Sequence, residues 1–485
     1  MKAVQTAILT VLISVSWAVL LRDPKKLPCE EYDLFDPPTK ILREANGASP
    51  PETSEDLAHQ VVHQLNARTN SLFKSMVVQV KHSHKQNDGN ERLTFYQVET
   101  KCRNNGKPPH TLIGCPYRQQ GKVQECTATI TPGTHIKDDS VACKPAHFGQ
   151  ILGTSSNDFD HVDWADLQQL QDLPLTGFRT PSHENFKCFK LRFGKTYATQ
   201  EEHDRRFKLF QTNMKRAYLY QITEQGTGTY GPTKFSDLTV EEFRSLYTGL
   251  KPLPNWNKNL RAAQIPDNAN ALPEAFDWRN KSAVTPVKDQ GQCGSCWAFS
   301  TTGNIEGQWA IKKGKLISLS EQELVDCDKV DQGCGGGLPS NAYKAIIDIG
   351  GLENEADYPY DGRNDKCTFK KEKVIVYIND SVEISQDETE MAQWLVDNGP
   401  ISIGINANAM MLYMGGISHP WKVVCSPKNL DHGVLIVGYG KDGKNPYWIV
   451  KNSWGPHWGV KGYYLVYRGD GTCGLNQMCT SAVVK

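Results

Sequence analysis

The sequence predicts an α+β protein of two or three folding units, and three observations predict it. At 485 residues the chain exceeds what one typical domain holds. Some stretches place apolar residues at helical steps, as in Leu57, Val61, Val62 and Leu65 and again along 198–224. Others form short apolar runs of strand type, at Met76–Val80, Leu93–Val98, Val434–Val437 and Tyr447–Val450.

Lys plus Arg equals Asp plus Glu, at 54 each, so no overall charge points to nucleic acid or to an anionic surface. At the N-terminus Lys2 precedes an apolar stretch from Ala7 to Val19, with the small residues Ser16 and Ala18 spaced for signal-peptidase cleavage. Residues 1–18 therefore read as a signal peptide. The stretch is too short for a membrane span, and no later one is long enough. Fourteen cysteines agree with an oxidising route. In that compartment Asn280-Lys281-Ser282 and Asn379-Asp380-Ser381 become glycosylation acceptors at Asn280 and Asn379.

Residues 19–53 are rich in Pro and acidic residues, lack periodicity, and read as a linker. From 54 to 150 an amphipathic helix is followed by strands and by Cys102, Cys115, Cys126 and Cys143. This order resembles a cystatin domain. The resemblance implies the pairs Cys102–Cys115 and Cys126–Cys143, one of three possible connectivities. The inhibitory first-hairpin Q-x-V-x-G is absent, with only Gln79-Val80-Lys81-His82-Ser83 nearby, and no Pro-Trp wedge follows. A structural or targeting role fits this module better than inhibition.

Residues 172–250 are strongly helical. Glu202, Arg206, Phe210, Asn213, Ala217 and Gln221 fall at three- and four-residue steps on one helical face. Their identities resemble the E-R-F-N signature of papain-family propeptides, with Ala and Gln at the last two positions. Gly231-Pro232-Thr233-Lys234-Phe235-Ser236-Asp237 resembles the second propeptide motif, with Thr where Asn is usual. Residues 251–271, rich in Pro and Asn, read as a cleavable linker, and a peptidase-type sequence runs from Leu272 to Lys485.

Within it, Cys293-Gly294-Ser295-Cys296-Trp297 carries the local signature of a papain-type nucleophile. Acyl transfer by a thiol needs a base, an orienter for the base, and donors for the oxyanion. His432 precedes an apolar strand run and Asn452 ends a second one. They lie downstream of Cys296 close to the family's spacing of roughly 130–150 residues. Gln290 stands six positions before Cys296. Residues 172–485 thus resemble a papain-like cysteine protease zymogen.

That resemblance implies a fold of two lobes, a helical one carrying Cys296 and a β-barrel-like one carrying His432, made with an inhibitory propeptide. Cys296 should open a helix, whose dipole and a protonated His432 would favour the thiolate. Asn452 would hold the imidazole, Trp454 would shield it, and Gln290 with the Cys296 N–H would form the oxyanion hole. Gly336, Gly337 and Asp431 would line the cleft. Leu338, Pro339, Gly404, Leu430 and Met478 would form an apolar second subsite preferring Leu, Val or Phe. With no occluding insertion, endopeptidase action is expected. The implied bridges are Cys293–Cys334, Cys327–Cys367 and Cys425–Cys473. Cys296 and Cys479 are left unpaired, and Cys29 and Cys188 either pair or stay free. No cofactor or metal site is expected, because Cys293 and Cys296 lack a second ligand pair. The implied partners are protein and peptide substrates, cystatin-type inhibitors and the chain's own propeptide. A monomeric mature form in the lysosome, or secreted, completes the expectation. Two other readings stand beside it, an inhibitor whose working part is residues 54–150 and a non-catalytic peptide-binding homologue. The missing hairpin motif counts against the first, the intact Cys296, His432, Asn452 and Gln290 against the second.

Overall fold

The computed structural model describes residues 61–62, 73–86, 90–103, 123–130, 141–145 and 180–485, apart from 253, 255, 258–259, 265–271 and 423. The signal-peptide and linker expectations for 1–53, and the Cys102–Cys115 pair, lie outside the described residues.

The N-terminal part is a four-stranded antiparallel sheet. Strands β1 (Phe73–Lys85), β2 (Glu91–Arg103), β3 (Val123–Ile130) and β4 (Val141–Pro145) pair in chain order. Alternate residues of the central strands, Leu93, Phe95, Cys126, Ala128 and Ile130, are buried under Val61 and Val62 of a helical turn, as period-2 patterning requires. Cys126 bonds to Cys143 across β3 and β4. The run Gln79–Ser83 lies within β1, paired to Leu93–Tyr96, and not at a hairpin tip. The first hairpin is instead closed by Gln86, whose N–H donates to the Asn90 carbonyl at 2.7 Å.

Three helices follow, α1 (His183–Phe193), α2 (Gln200–Thr223) and α3 (Val240–Tyr247), with a two-residue strand β5 (Thr229–Tyr230) between the last two. Each helix starts on a hydroxyl cap, Ser182, Thr199 or Thr239. Ser182 and Thr239 complete reciprocal capping boxes with Asn185 and Glu242. The six motif residues of α2 hold this unit together. Arg206 donates to Glu202 (2.6 Å), to Glu242 of α3 (2.6 Å) and to the Asp237 carbonyl (2.8 Å). Asn213 Nδ2 donates to the carbonyls of Ser236 and Leu238. Phe210 and Ala217 are fully buried. Gln221 clamps the next turn, donating to the Gly228 carbonyl and accepting from the Tyr230 N–H.

Beyond this unit come β6 (Arg261–Ala262) and β7 (Phe276–Asp277), then the helices α4 (Cys296–Lys313), α5 (Glu321–Cys327) and α6 (Pro339–Ile349). The remaining elements are β8 (Asp380–Glu383), α7 (Glu388–Asn398), β9 (Ile401–Ile405), β10 (Tyr413–Gly415), β11 (His432–Asp442), β12 (Asn445–Lys451), β13 (Tyr463–Tyr467) and β14 (Cys479–Val483). The large sheet runs β13-β12-β11-β9-β14-β8-β6, with β7 on β11, while β10 pairs β5. One apolar cluster, built on Trp297, Ile305, Tyr343 and Ile346, joins α4 to α6. A larger one fills the sheet and reaches the three upstream helices. Bonds Cys293–Cys334, Cys327–Cys367 and Cys425–Cys473 close loops around these cores. Cys188 is disulfide-bonded, while Cys479 is a free buried thiol.

Candidate active site

Cys296 is the first residue of α4. Ser295 caps the helix by position, but its hydroxyl makes no cap bond and meets Tyr360 Oη instead, at 2.6 Å. The first-turn N–H groups therefore keep their partial positive charge for whatever lies at the helix mouth. The Cys296 thiol is fully buried, and its Sγ accepts from the Gly433 N–H at 3.3 Å.

His432 opens β11, and Asn452 follows the last residue of the adjacent β12. Antiparallel pairing of the two strands carries both side chains to one end of the sheet. Asn452 Oδ1 already accepts from the Ser453 N–H at 2.8 Å, which fixes its amide orientation. It lies 2.8 Å from His432 Nε2, so that nitrogen carries the proton and donates. The unprotonated Nδ1 makes no hydrogen bond among the described residues. Trp454 stacks on the imidazole with ring centroids 4.6 Å apart. Gln290 is held by Ser453, whose hydroxyl donates to its Oε1 at 2.7 Å. The Gln290 Nε2 donates to the Cys293 carbonyl at 2.8 Å and to the Tyr247 carbonyl at 3.3 Å.

That last partner belongs to the upstream unit, which covers the site. Phe235, Phe243 and Tyr247 surround Trp454, with ring centroids of Phe235 and Phe243 at 5.0 and 5.3 Å from it. Trp454 Nε1 also donates to the Tyr247 carbonyl at 2.9 Å. The chain then crosses the helix mouth in extended form. Gly337 N–H donates to the Gly249 carbonyl (2.9 Å) and the Lys251 N–H to the Gly337 carbonyl (3.2 Å), a parallel bridge. Gly249 fits only as glycine, because a Cβ there would lie 1.9 Å from the Gly294 carbonyl oxygen. Gly336 faces the same strand, where a Cβ would meet the Gly249 oxygen at 2.4 Å.

Leu250 is the next residue, and it is buried among Leu338 and Met478, with Leu430 and Trp256 half-buried around it. A Cβ on Gly404 would lie 2.8 Å from the Leu250 side chain, so a glycine there makes room for it. Pro339 begins α6 immediately behind Leu338. Asp431 takes the Gly249 and Leu250 N–H groups on its backbone carbonyl, both at 3.0 Å. Its buried carboxyl accepts from Ala407 N–H, and burial raises it to about 6.

Two comparisons carry the assignment. Residues 272–483 match the papain family cysteine protease, and residues 186–243 match the cathepsin propeptide inhibitor domain (I29). Cysteine proteinase 15A of Pisum sativum is 48% identical over 350 residues, covering 69% of this chain and 95% of that protein. The chain belongs to the papain family of cysteine proteases.

Cathepsin F of Mus musculus is 53% identical over 299 residues, 62% of this chain, and cathepsin F of Drosophila melanogaster 53% over 336 residues, 67% of this chain. The chain spans 64% and 53% of the lengths of these two relatives. Procathepsin L2 from the larval midgut of Tenebrio molitor superposes with a TM-score of 0.58 at 32% identity, covering 62% of this chain and 99% of that one. The papain-like protease fold, with a propeptide inhibitor domain, is therefore that of this chain.

Within this family member the sequence-derived residues Cys296, His432, Asn452, Gln290 and Trp454 lie together, as do Gly336, Gly337, Leu338, Gly404, Leu430, Asp431 and Met478 around residues 249–250. Both sequon asparagines, Asn280 and Asn379, are exposed. Sequence reasoning missed Tyr247, Gly249, Leu250 and Trp256. Their signal was faint: a glycine ending a helix, followed by a lone leucine. Burial also bears on the charge of the Cys296–His432 pair in the covered site. Burial pushes the Cys296 thiol up to about 12 and His432 down to about 4, both shifts in the direction of the uncharged forms. For the thiol, desolvation together with the Asp431 carboxylate outweighs the N–H bonds to sulfur from Gly433, Trp297 and Leu250.

Proposed function

We propose that the chain is the zymogen of a thiol endopeptidase of the secretory pathway, acting in intracellular protein degradation in the lysosome, with secretion as a second destination. Its segments would be a signal peptide (1–18), a linker (19–53), a cystatin-like pro-domain (54–150), an inhibitory propeptide (172–250), a cleavable linker (251–271) and the two-lobe peptidase (272–485). The observation that carries the reading is the His432 Nε2–Asn452 contact, which leaves Nδ1 without a hydrogen-bond partner among the described residues, on the residue next to Gly433, whose N–H bonds the Cys296 thiol at the mouth of α4.

When the covering strand leaves, water and the helix dipole favour moving the thiol proton onto His432. The thiolate attacks the substrate carbonyl carbon, and the electron pair shifts onto oxygen. The Gln290 amide, freed from Tyr247, and the Cys296 backbone N–H receive that oxyanion. Removing one such donor typically raises the barrier by about 2.7–4 kcal/mol. The imidazolium then protonates the leaving amine as the C–N bond breaks, giving a thioester. Water, deprotonated by His432, hydrolyses the thioester and restores the thiol. Asn452 positions the ring throughout.

Occupation of the Leu338–Leu430–Met478 pocket by Leu250 supports Leu or a similar apolar side chain at the second substrate position. Cystatin-type inhibitors would compete for the same cleft. The test is acid processing of the full chain beside Cys296→Ala, assayed on a Leu- or Phe-containing peptide amide with and without the epoxide E-64. Hydrolysis by wild type alone, blocked by E-64, is expected. A folded, processed wild type without activity would refute the reading.

A further inference from the structure

The chain that leaves the Leu250 pocket runs on to the outer edge of the large sheet. Trp256 packs on the pocket, and the next residue, Asn257, donates through Nδ2 to both carboxylate oxygens of Glu383, each at 3.0 Å. Four residues later Arg261–Ala262 form β6, paired in parallel with β8 in the register Arg261 to Val382 and Ala262 to Glu383. The Ala263 N–H donates to the Glu383 carbonyl at 2.7 Å, and Arg261 Nη2 donates to Asp380 Oδ2 at 2.7 Å.

This edge adjoins the cleft. Strand β14, which begins one residue after the pocket residue Met478, lies directly beside β8 and pairs Thr480 with Glu383. Adjacent strands are about 4.8 Å apart, so pocket floor and sheet edge are neighbours. Among the described residues, β6 is the strand that partners β8 on its outer side in the sheet order. Removing β6 leaves the outward-facing backbone groups of β8, the Glu383 carbonyl among them, without a strand partner, with two carboxylates on the rim, while β14 keeps the inner side paired. Such an edge is a template for another extended chain.

We propose that the β8 edge is an exosite that takes an extended, basic stretch of the polypeptide substrate lying N-terminal to the bond cut. This rests on the protease reading, in which β6 departs with the 251–271 linker. The occupant's chemistry follows from what sits there now: a main-chain ladder, an arginine on Asp380 and an amide N–H pair on Glu383. The prosegment crosses Gly337 in parallel and meets β8 in parallel. A substrate lying the opposite way along the same path would meet β8 antiparallel, the slightly more stable ladder. Asp380 and its arginine are largely exposed, so the site adds selectivity more than affinity.

The test compares processed wild type with the double variant Asp380→Asn, Glu383→Gln, which leaves the Asn379 sequon intact. Three substrates are used: a short Leu-containing peptide amide, the same amide with an Arg-bearing N-terminal extension of about ten residues, and an acidic counterpart. The basic extension should lower KM roughly three- to ten-fold in wild type only, with the short amide unchanged in both proteins. A gain that persists in the double variant, or no gain in wild type, would overturn the exosite. So would mass spectra showing residues 257–263 still bound after processing. A labelled peptide of sequence 257–264, titrated onto E-64-treated processed protein, gives a readout without turnover. It should bind wild type several-fold more tightly than the double variant, and equal binding would overturn the exosite. Failure of the protease reading shows separately, as no hydrolysis of the short amide.

Discussion

Replacing Leu250 by alanine should open the site at neutral pH while leaving the rest of the molecule folded. Leu250 is 4% exposed in its pocket. Truncation to the β-carbon removes three carbons, about 2.4 kcal/mol at about 0.8 kcal/mol each. A residual cavity can carry the loss into the range of about 2–5 kcal/mol. Since 1.4 kcal/mol is tenfold, the closed state should weaken by roughly 50-fold or more. The thiol of Cys296 is 0% exposed, so an epoxide reagent reaches it only through opening. Where opening is fast relative to reaction, labelling of the full chain by E-64 at neutral pH tracks the open population. Leu250→Ala should therefore label roughly 50-fold faster than wild type, and Leu250→Met close to wild type. Leu191→Ala, at an apolar residue 66% exposed on α1, serves as the control and should not change the rate. A Leu250→Ala protein with native circular dichroism and a labelling rate within twofold of wild type would refute the reasoning. The inference that the pocket prefers leucine would fall with it.

Three further outcomes are expected. Gly249→Ala drives a Cβ to 1.9 Å from the Gly294 carbonyl oxygen, a backbone clash no rotamer relieves, so it should label at least as fast as Leu250→Ala; protection equal to wild type would contradict this. Hydrogen bonds from Arg205 and Arg206 hold Glu202 down at about 2. Glu242 is also lowered, because its bonds from Arg206, Thr239 and Arg205 outweigh its burial. A depressed carboxyl stabilises the fold above its unfolded pKa and loses that contribution as pH falls through the folded value. The helical unit should therefore loosen from about pH 4.5 downward. Glu242→Gln, which lacks this stabilisation at every pH, should activate at a higher pH in a pH-stepped processing assay. Asn452→Ala removes the acceptor that selects the His432 tautomer, so kcat on the peptide amide should fall by at least tenfold with KM little changed. A pure KM effect would argue against the positioning role.

The residues proposed to do the chemistry were legible because chemistry constrains residue type and spacing. A thiol at a helix start, an imidazole before one strand and an amide after the next admit few substitutions, and Cys296, His432 and Asn452 could be read from linear motifs. The α2 face was legible for the same reason, since Arg206 and Asn213 recur at helical steps and each meets a defined partner. The covering strand was not. Its fit depends on the closeness of Gly249 to Gly294 and on the room left by Gly404, contacts between residues far apart in the chain. Nor could β6 be read, since two residues carry no periodicity and its pairing is set by an edge more than a hundred positions downstream.

The charge state was illegible for a deeper reason, and that reason bears on how latency works. Sequence motifs name the groups that can exchange a proton, whereas burial decides which of them holds it. With residues 249–250 in place, burial pushes the thiol up and the imidazole down, which favours keeping the proton on sulfur. The strand that denies substrate its path is thus also the one that excludes water from the pair. Latency then has two components with different responses to perturbation. Truncating Leu250 weakens occupancy, and reactivity follows only as the pair is rehydrated. A small uncharged thiol reagent should therefore still be slow in any state where 249–250 stay seated, however accessible the Leu250 pocket becomes. If such a reagent labelled Cys296 rapidly in the closed wild-type chain, the thiolate would already be present there, and occlusion alone would account for latency.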